Sequence, residues 1–305
     1  MTSRRYPDTS HVRLRTLKST FTAEGALCAA TLYVPQDARP DQELPAILML
    51  GGWGSIQRAM TSSFTHSFVE AGFAVMEFDY PGWGDSGGFP RQGINPWRRT
   101  RVADTALAHL KSQPMVAAHQ ITLWGTSFGG GHVVDLATQH PELKGAIIQV
   151  PMLDGLAATL ATPPARLLKM VCLGTLDQFK PGASIYVPTL ARQGEFGTMD
   201  RDGAWNAMEI ALDALTGRGY DNRVAAKSVL TMPFYRPWLR LKDVKIPMLM
   251  IGATGDTVAP FVSDKVRRVG NPHVQVIEID ANHFDPYFDP LFPEVLAHQL
   301  KFLRR

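Results

Sequence analysis

The sequence predicts an α/β fold, a mostly parallel and doubly wound sheet with one inserted helical cap, and three observations predict it. Short, nearly continuous apolar runs recur along the chain and alternate with helix-period segments. The alternation breaks once, for roughly 95 residues, well beyond an ordinary crossover. A serine, an aspartate and a histidine each fall just past the end of one of the apolar runs.

Taken in order, the opening segment alternates as strands do. His11 to Leu17 and Ala26 to Val34 read as a hairpin joined through the polar stretch Lys18 to Gly25. Apolar runs follow at Pro45–Leu50, Phe73–Phe78, Gln120–Trp124, Ala146–Val150, Met248–Ile251 and Val274–Ile279. Their length and lack of alternation suit strands covered on both faces. Helical patterns separate them, as at Thr105 to Ser112 and Gly131 to Gln139. Residues 1–150 and 246–305 are therefore expected to form the sheet domain. Residues 151–245 are expected to be a helical cap without a clear strand. Its amphipathic stretches are Leu156–Leu160, Ala165–Leu173 and Ala204–Leu215, punctuated by Pro163, Pro164, Pro181 and Gly182.

Composition narrows the function classes. The 305 residues are 45% hydrophobic and 19% charged, enough to bury a sizeable core. A formal charge of +3 is weak for nucleic-acid binding, and the one basic run, Arg98, Arg99 and Arg101, reads as a solvated helix end. Two distant cysteines, Cys28 and Cys172, argue against a disulfide framework or a zinc site. The N-terminal residues lack the apolar run of a secretory signal, and no stretch approaches ~18 apolar residues. A cytoplasmic protein with no membrane span is expected. Gly82 to Gly88 does not match a dinucleotide fingerprint in spacing and no Walker-type loop occurs, so neither cofactor nor metal is expected. Oligomeric state leaves no mark in the sequence.

The chemistry concentrates in Gly125-Thr126-Ser127-Phe128-Gly129, which follows the run QITLW and precedes a helical pattern. A strand-to-helix turn this tight holds its central serine in a strained conformation and lifts the hydroxyl above the sheet edge. Glycines two before and two after remove side chains that would collide with neighbouring backbone. A serine hydroxyl needs a base. Of nine histidines, His283 lies in the loop after the last run, VQVIEID, where it can return over that edge. His11, His119 and His273 sit at strand starts, His140 and His298 near helix ends, and His66, His109 and His132 within helical patterns. The imidazole needs an orienting carboxylate. Asp256, in a glycine-rich turn after MLMI, is favoured over Asp154, which follows AIIQV. Asp280 and Asp285 flank His283 too closely to reach its far nitrogen. Oxyanion donors are expected from the backbone N–H of Phe128 and of Trp53, in the glycine-rich loop after PAILML. Trp53, Phe128 and Met152 are also expected at the substrate entrance.

These residues together resemble the α/β-hydrolase superfamily, whose chain order of serine, acid and histidine they share. Asp79-Tyr80-Pro81-Gly82-Trp83-Gly84-Asp85-Ser86 is similar to that superfamily's turn after the second central strand. Gly51 departs from it, standing where a histidine often precedes the oxyanion glycine. A narrower resemblance, to fungal polyketide transferases and related acyl hydrolases and to the catalytic domain of Xaa-Pro dipeptidyl peptidases, rests on four segments. They are Pro90-Arg91-Gln92, Pro96-Trp97, Trp124 to Ser127 with Gly130-Gly131-His132-Val133, and His283-Phe284-Asp285-Pro286-Tyr287. The resemblance implies a serine acyl-enzyme acting on a small-molecule ester or thioester. Acyl transfer and peptidase activity share the same residues. Serine rather than aspartate at position 127 argues against dehalogenase or epoxide-hydrolase chemistry, and the intact set of three argues against a non-enzymatic binding protein.

Overall fold

The apolar runs fold into one sheet whose strand order brings the serine, aspartate and histidine loops to the same edge. The structure is a computed structural model and describes residues 4–57, 59–207, 209 and 220–305. An eight-stranded sheet is ordered β1-β2-β4-β3-β5-β6-β9-β10. Its strands are β1 (Leu14–Ala23), β2 (Ala26–Pro35), β3 (Leu44–Leu50), β4 (Ala74–Phe78), β5 (Val116–Thr126), β6 (Gly145–Gln149), β9 (Met248–Ala253) and β10 (Val274–Ile279). Only β1 with β2 and β2 with β4 pair antiparallel; every other neighbouring pair is parallel. Strands β3, β4, β6 and β9 and the second half of β5 are almost wholly buried, which is why their sequences read as continuous apolar runs.

Two faces of helices cover the sheet. The helices are α1 (Ser62–Glu70), α2 (Pro96–Lys111), α3 (Phe128–Gln139), α6 (Ser263–Val269) and α7 (Phe292–Leu303). Phe64 of α1 packs on Trp124 of β5 and Phe292 of α7, with ring centroids 5.4 and 4.8 Å apart. Each such fully buried aromatic contributes about 1.5–3 kcal/mol through lost apolar surface. The chain leaves β3 toward β4 on one side and returns through β5 on the other. This reversal opens a crevice at the carboxyl ends of β3 and β5, the place where such sheets bind ligands.

Several boundaries differ from the sequence reading. Strand β1 continues through Ala23, so the hairpin turns at Glu24 and Gly25 rather than along Lys18 to Gly25; both turn residues have positive φ, 49° and 75°, the conformation of a tight two-residue hairpin. Phe21 and Ala23 are buried there, and their alternation with polar residues hid the strand. Helix α2 begins at Pro96, not Thr105: Asn95 caps it by accepting from Arg98 N–H at 3.0 Å, and proline suits the first helical position. Helix α3 likewise begins at Phe128 and absorbs the glycine run.

Between β6 and β9 lie α4 (Gly155–Leu160), α5 (Pro164–Phe179), β7 (Tyr186–Pro188), β8 (Arg223–Ala225) and 3-10 helices at Ala226–Phe234 and Pro237–Asp243. The sequence shows no clear strand here, yet β7 and β8 pair antiparallel over three residues each, too short to leave a periodic signature. Of the stretch Ala204–Leu215, residues 204–207 are helical, while Met208 and residues 210–215 lie outside the described residues. Among the described residues, no helix is long and apolar enough to cross a membrane.

Candidate active site

Ser127 stands in the one-residue bend between β5 and α3, with φ 53° and ψ −125°. A non-glycine residue in that region is strained, and the flanking glycines show what enforces the bend. A Cβ on Gly125 would come within 2.6 Å of the Gly129 carbonyl oxygen, and one on Gly129 would collide with the carbonyls of Leu50 and Gly51. Neighbouring backbone thus leaves room for glycine alone, and the hydroxyl is pushed up at the end of β5. Ser127 N–H donates to Gln149 O at 3.0 Å, and Ser127 O accepts from Met152 N–H at 2.9 Å, tying the bend to the end of β6.

The structure brings Ser127, His283 and Asp256 into one hydrogen-bonded line. His283 Nε2 lies 3.0 Å from Ser127 Oγ, and His283 Nδ1 lies 2.6 Å from Asp256 Oδ2. All three side chains are buried. Asp256 Oδ1 accepts from the N–H groups of Val258 and Ala259, each at 2.8 Å. A carboxylate so satisfied only accepts, so Nδ1–H is the donor to Asp256, and Nε2 is the ring nitrogen that faces the serine hydroxyl.

Asp154 is elsewhere. Its Oδ1 caps α4 by accepting from Leu156 N–H at 3.1 Å and also receives Arg236 Nε at 3.1 Å, while Lys265 donates to Oδ2. Desolvation opposes the charge of this fully buried carboxylate, but the hydrogen bonds from Lys265 and Arg236 win and hold its pKa below the ordinary value. It anchors the inserted segment to α6 and has no contact with His283.

Trp53 and Phe128 border the serine from two sides. Phe128 is the first residue of α3, where an N–H has no intrahelical acceptor. Trp53 follows Gly52, whose added Cβ would lie 3.1 Å from Ser127 Cβ, so this loop passes directly against the serine. The Trp53 ring meets Phe128 edge-on at 5.3 Å and donates its Nε1–H to Thr198 Oγ1 at 3.2 Å. Ser127 opens onto two cavities. The larger, ≈ 180 Å³, is walled by Trp53, Phe128, Met152 and, from the inserted segment, Met170, Leu230 and Met232. The smaller, ≈ 70 Å³, lies on the imidazole side between His283, Tyr287, Leu190 and Met199.

Two participants escaped the sequence reading. Tyr287 forms a hydrogen bond with Thr126, bracing the residue before Ser127. Arg99 is not at a solvated helix end: it is 3% exposed, donates Nη1–H to Gly52 O at 3.2 Å, and lies 4.4 Å from the Tyr80 ring centroid. Burial pushes its guanidinium pKa down to about 10. Spacing carried the signal: Arg99 heads the stripe Arg99, Val102, Ala106, Leu110 that α2 turns to the core. Arg98 and Arg101 face outward instead and pair with Glu24 at 3.4 and 2.6 Å.

The comparisons with known proteins agree with this fold. The family model described as serine aminopeptidase, S33, matches residues 44–280, a span that holds Ser127 and Asp256 and ends before His283. The chain is 30% identical over 290 residues to the quorum-quenching protein AidA of Acinetobacter baumannii (strain MDR-ZJ06), covering 93% of each. It is 24% identical over 242 residues to a thiohydrolase of Eupenicillium brefeldianum, covering 77% of each. Among solved structures, the alpha/beta hydrolase GrgF from Penicillium sp. sh18 superposes with a TM-score of 0.75 at 22% identity, over 96% of this chain and 99% of that one.

Proposed function

The chain belongs to the serine aminopeptidase S33 family of α/β-hydrolases, and from that premise we propose that it is a serine hydrolase cleaving carboxylic esters or thioesters through an acyl-enzyme on Ser127. The observation that carries this reading is the line Ser127 Oγ, His283, Asp256 at the mouth of an apolar cavity. In this reading His283 Nε2 takes the hydroxyl proton as Ser127 Oγ attacks the acyl carbonyl. The N–H groups of Phe128 and Trp53 stabilise the oxyanion, and His283 returns the proton to the leaving group. Water then repeats the sequence and frees the acid. Asp256 keeps the ring oriented and stabilises the imidazolium that forms.

The two cavities divide the substrate. The larger one, with Met152 and the methionines of residues 151–245, receives the acyl chain, and that segment serves as the lid over the sheet domain. The smaller one borders His283, the group that protonates the leaving alcohol or thiol, and so receives the leaving group. The family's name suggests a peptidase. An aminopeptidase needs an acid to hold the substrate's ammonium, and no Asp or Glu lines either cavity among the described residues. The thiohydrolase relative supports a thioester substrate. Two free cysteines, Cys28 and Cys172, support a reducing compartment such as the cytoplasm.

A fluorophosphonate probe and a p-nitrophenyl ester panel test the reading together. Wild-type protein should be labelled at Ser127 and turn over the esters, and Ser127→Ala should lose both, with kcat down by roughly a thousandfold or more. Undiminished turnover in Ser127→Ala would remove the proposal.

A further inference from the structure

A third cavity, ≈ 250 Å³, lies between the start of α2 and the inserted segment and shares no wall residue, among the described residues, with the two at Ser127. Its wall is basic. Arg98, Arg99 and Lys227 contribute to it, and no Asp or Glu does among the described residues. Arg98 is already engaged by Glu24, 3.4 Å away. Lys227, half-buried, forms no ion pair with a described residue.

Arg99 is the anomaly. Its Nη1 is held by Gly52 O, while Nε and Nη2 are buried without a hydrogen-bond partner among the described residues. The hydroxyl of Tyr80, also on the cavity wall, is buried and likewise has no hydrogen-bond partner among the described residues. Tyr80 and Trp83 lie against the planar guanidinium, 4.4 and 5.2 Å from its carbon to their ring centroids. Nε and Nη2 share one edge of that plane, the edge that grips a carboxylate or phosphate through two parallel hydrogen bonds. A buried cation without an anion beside it is unfavourable, and no carboxylate among the described residues pairs with Arg99.

We propose that this cavity is an anion-binding site, taking a small molecule with a carboxylate or phosphate group on the free edge of Arg99. Lys227 supplies the second positive charge and the Tyr80 hydroxyl a third donor. Ser228 Oγ, which accepts from Ile94 N–H at 2.9 Å, still has its own proton to give. The site backs onto the loop that borders Ser127, because the same guanidinium holds the Gly52 carbonyl.

The test uses the full chain carrying Ser127→Ala, so its outcome does not depend on the hydrolase reading. Inorganic phosphate and succinate are titrated separately at constant ionic strength maintained with chloride, with Tm and binding heat as readouts. At least one of the two should raise Tm saturably, and Lys227→Gln should weaken its binding by about tenfold while Lys227→Arg retains it. The tighter of the two identifies the headgroup. If neither ion acts beyond chloride, or if Lys227→Gln binds as well as its parent, the site is not there.

Discussion

Replacing Asp256 with Asn tests the geometry most directly, because the change is nearly isosteric and its consequence can be worked out atom by atom. Asp256 Oδ1 accepts two backbone N–H groups at 2.8 Å, and Oδ2 meets His283 Nδ1 at 2.6 Å. In Asp256→Asn the backbone donors keep the carbonyl oxygen on their own side, so the amide nitrogen must face Nδ1. Nδ1 then has to accept, which moves the ring proton to Nε2. There, 3.0 Å from Ser127 Oγ, it leaves no lone pair to take the serine proton. A wrong tautomer of this kind lowers kcat by about 10⁴, or about 5.5 kcal/mol of transition-state stabilisation. The assay is kcat and KM on a short p-nitrophenyl ester, with circular dichroism to confirm folding; KM should change little. A loss smaller than about tenfold would refute the assigned role of Asp256. Asp154→Asn is the matched control. It should keep kcat within about threefold, since Asp154 touches Arg236 and Lys265 rather than His283. Its cost is stability, about 2 kcal/mol, below that of a fully dry ion pair because both cations are 32% exposed.

The remaining expectations concern the pocket and pH. Met170 is buried in the wall of the larger cavity, so Met170→Trp should shorten it. Turnover of octanoyl and longer esters should then fall by about 10- to 100-fold with acetyl esters nearly unchanged; equal losses across chain lengths would place the acyl chain elsewhere. His132 is held well below its ordinary pKa, first by burial and then by the charge of Arg99. It stays neutral when folded but takes a proton in the unfolded chain below pH ~6.5, so the unfolded state binds more protons there. Stability should therefore be flat above pH ~6.5 and decline below it, by up to about 1.4 kcal/mol per pH unit for this one group. Urea midpoints measured from pH 8 to 5 should show the decline, and His132→Gln should reduce its slope. Part of it should persist, because burial lowers the pKa of His66 and His109 too.

Much of this protein is written locally. Buried parallel strands need continuous apolar runs, so β3 to β6 and β9 stand out as segments of five to eleven residues whatever their partners. Ser127, Asp256 and His283 stand out as candidates for the same reason: each follows such a run in a turn whose glycines or loop position are visible in a few neighbouring residues. Glycines 125 and 129 mark the bend because only a missing side chain fits there. Where a polar residue interrupts the pattern, the reading stops early. Threonines exposed in β1 concealed its second half, and arginines at the start of α2 concealed two helical turns.

What tertiary structure alone decided is which distant groups meet. The choice between Asp256 and Asp154 depends on which carboxylate faces His283 in space, since both follow a strand. Arg99 and Gly52 lie 47 positions apart, Thr126 and Tyr287 161 apart, and nothing near either partner announces the other. Part of the pocket wall comes from the inserted segment, including the 3-10 turn Ala226–Phe234, which carries no period. Backbone sterics and side-chain periodicity act over a few residues and can be read along the chain. Burial, charge pairing and cavity shape arise only once the chain has closed on itself.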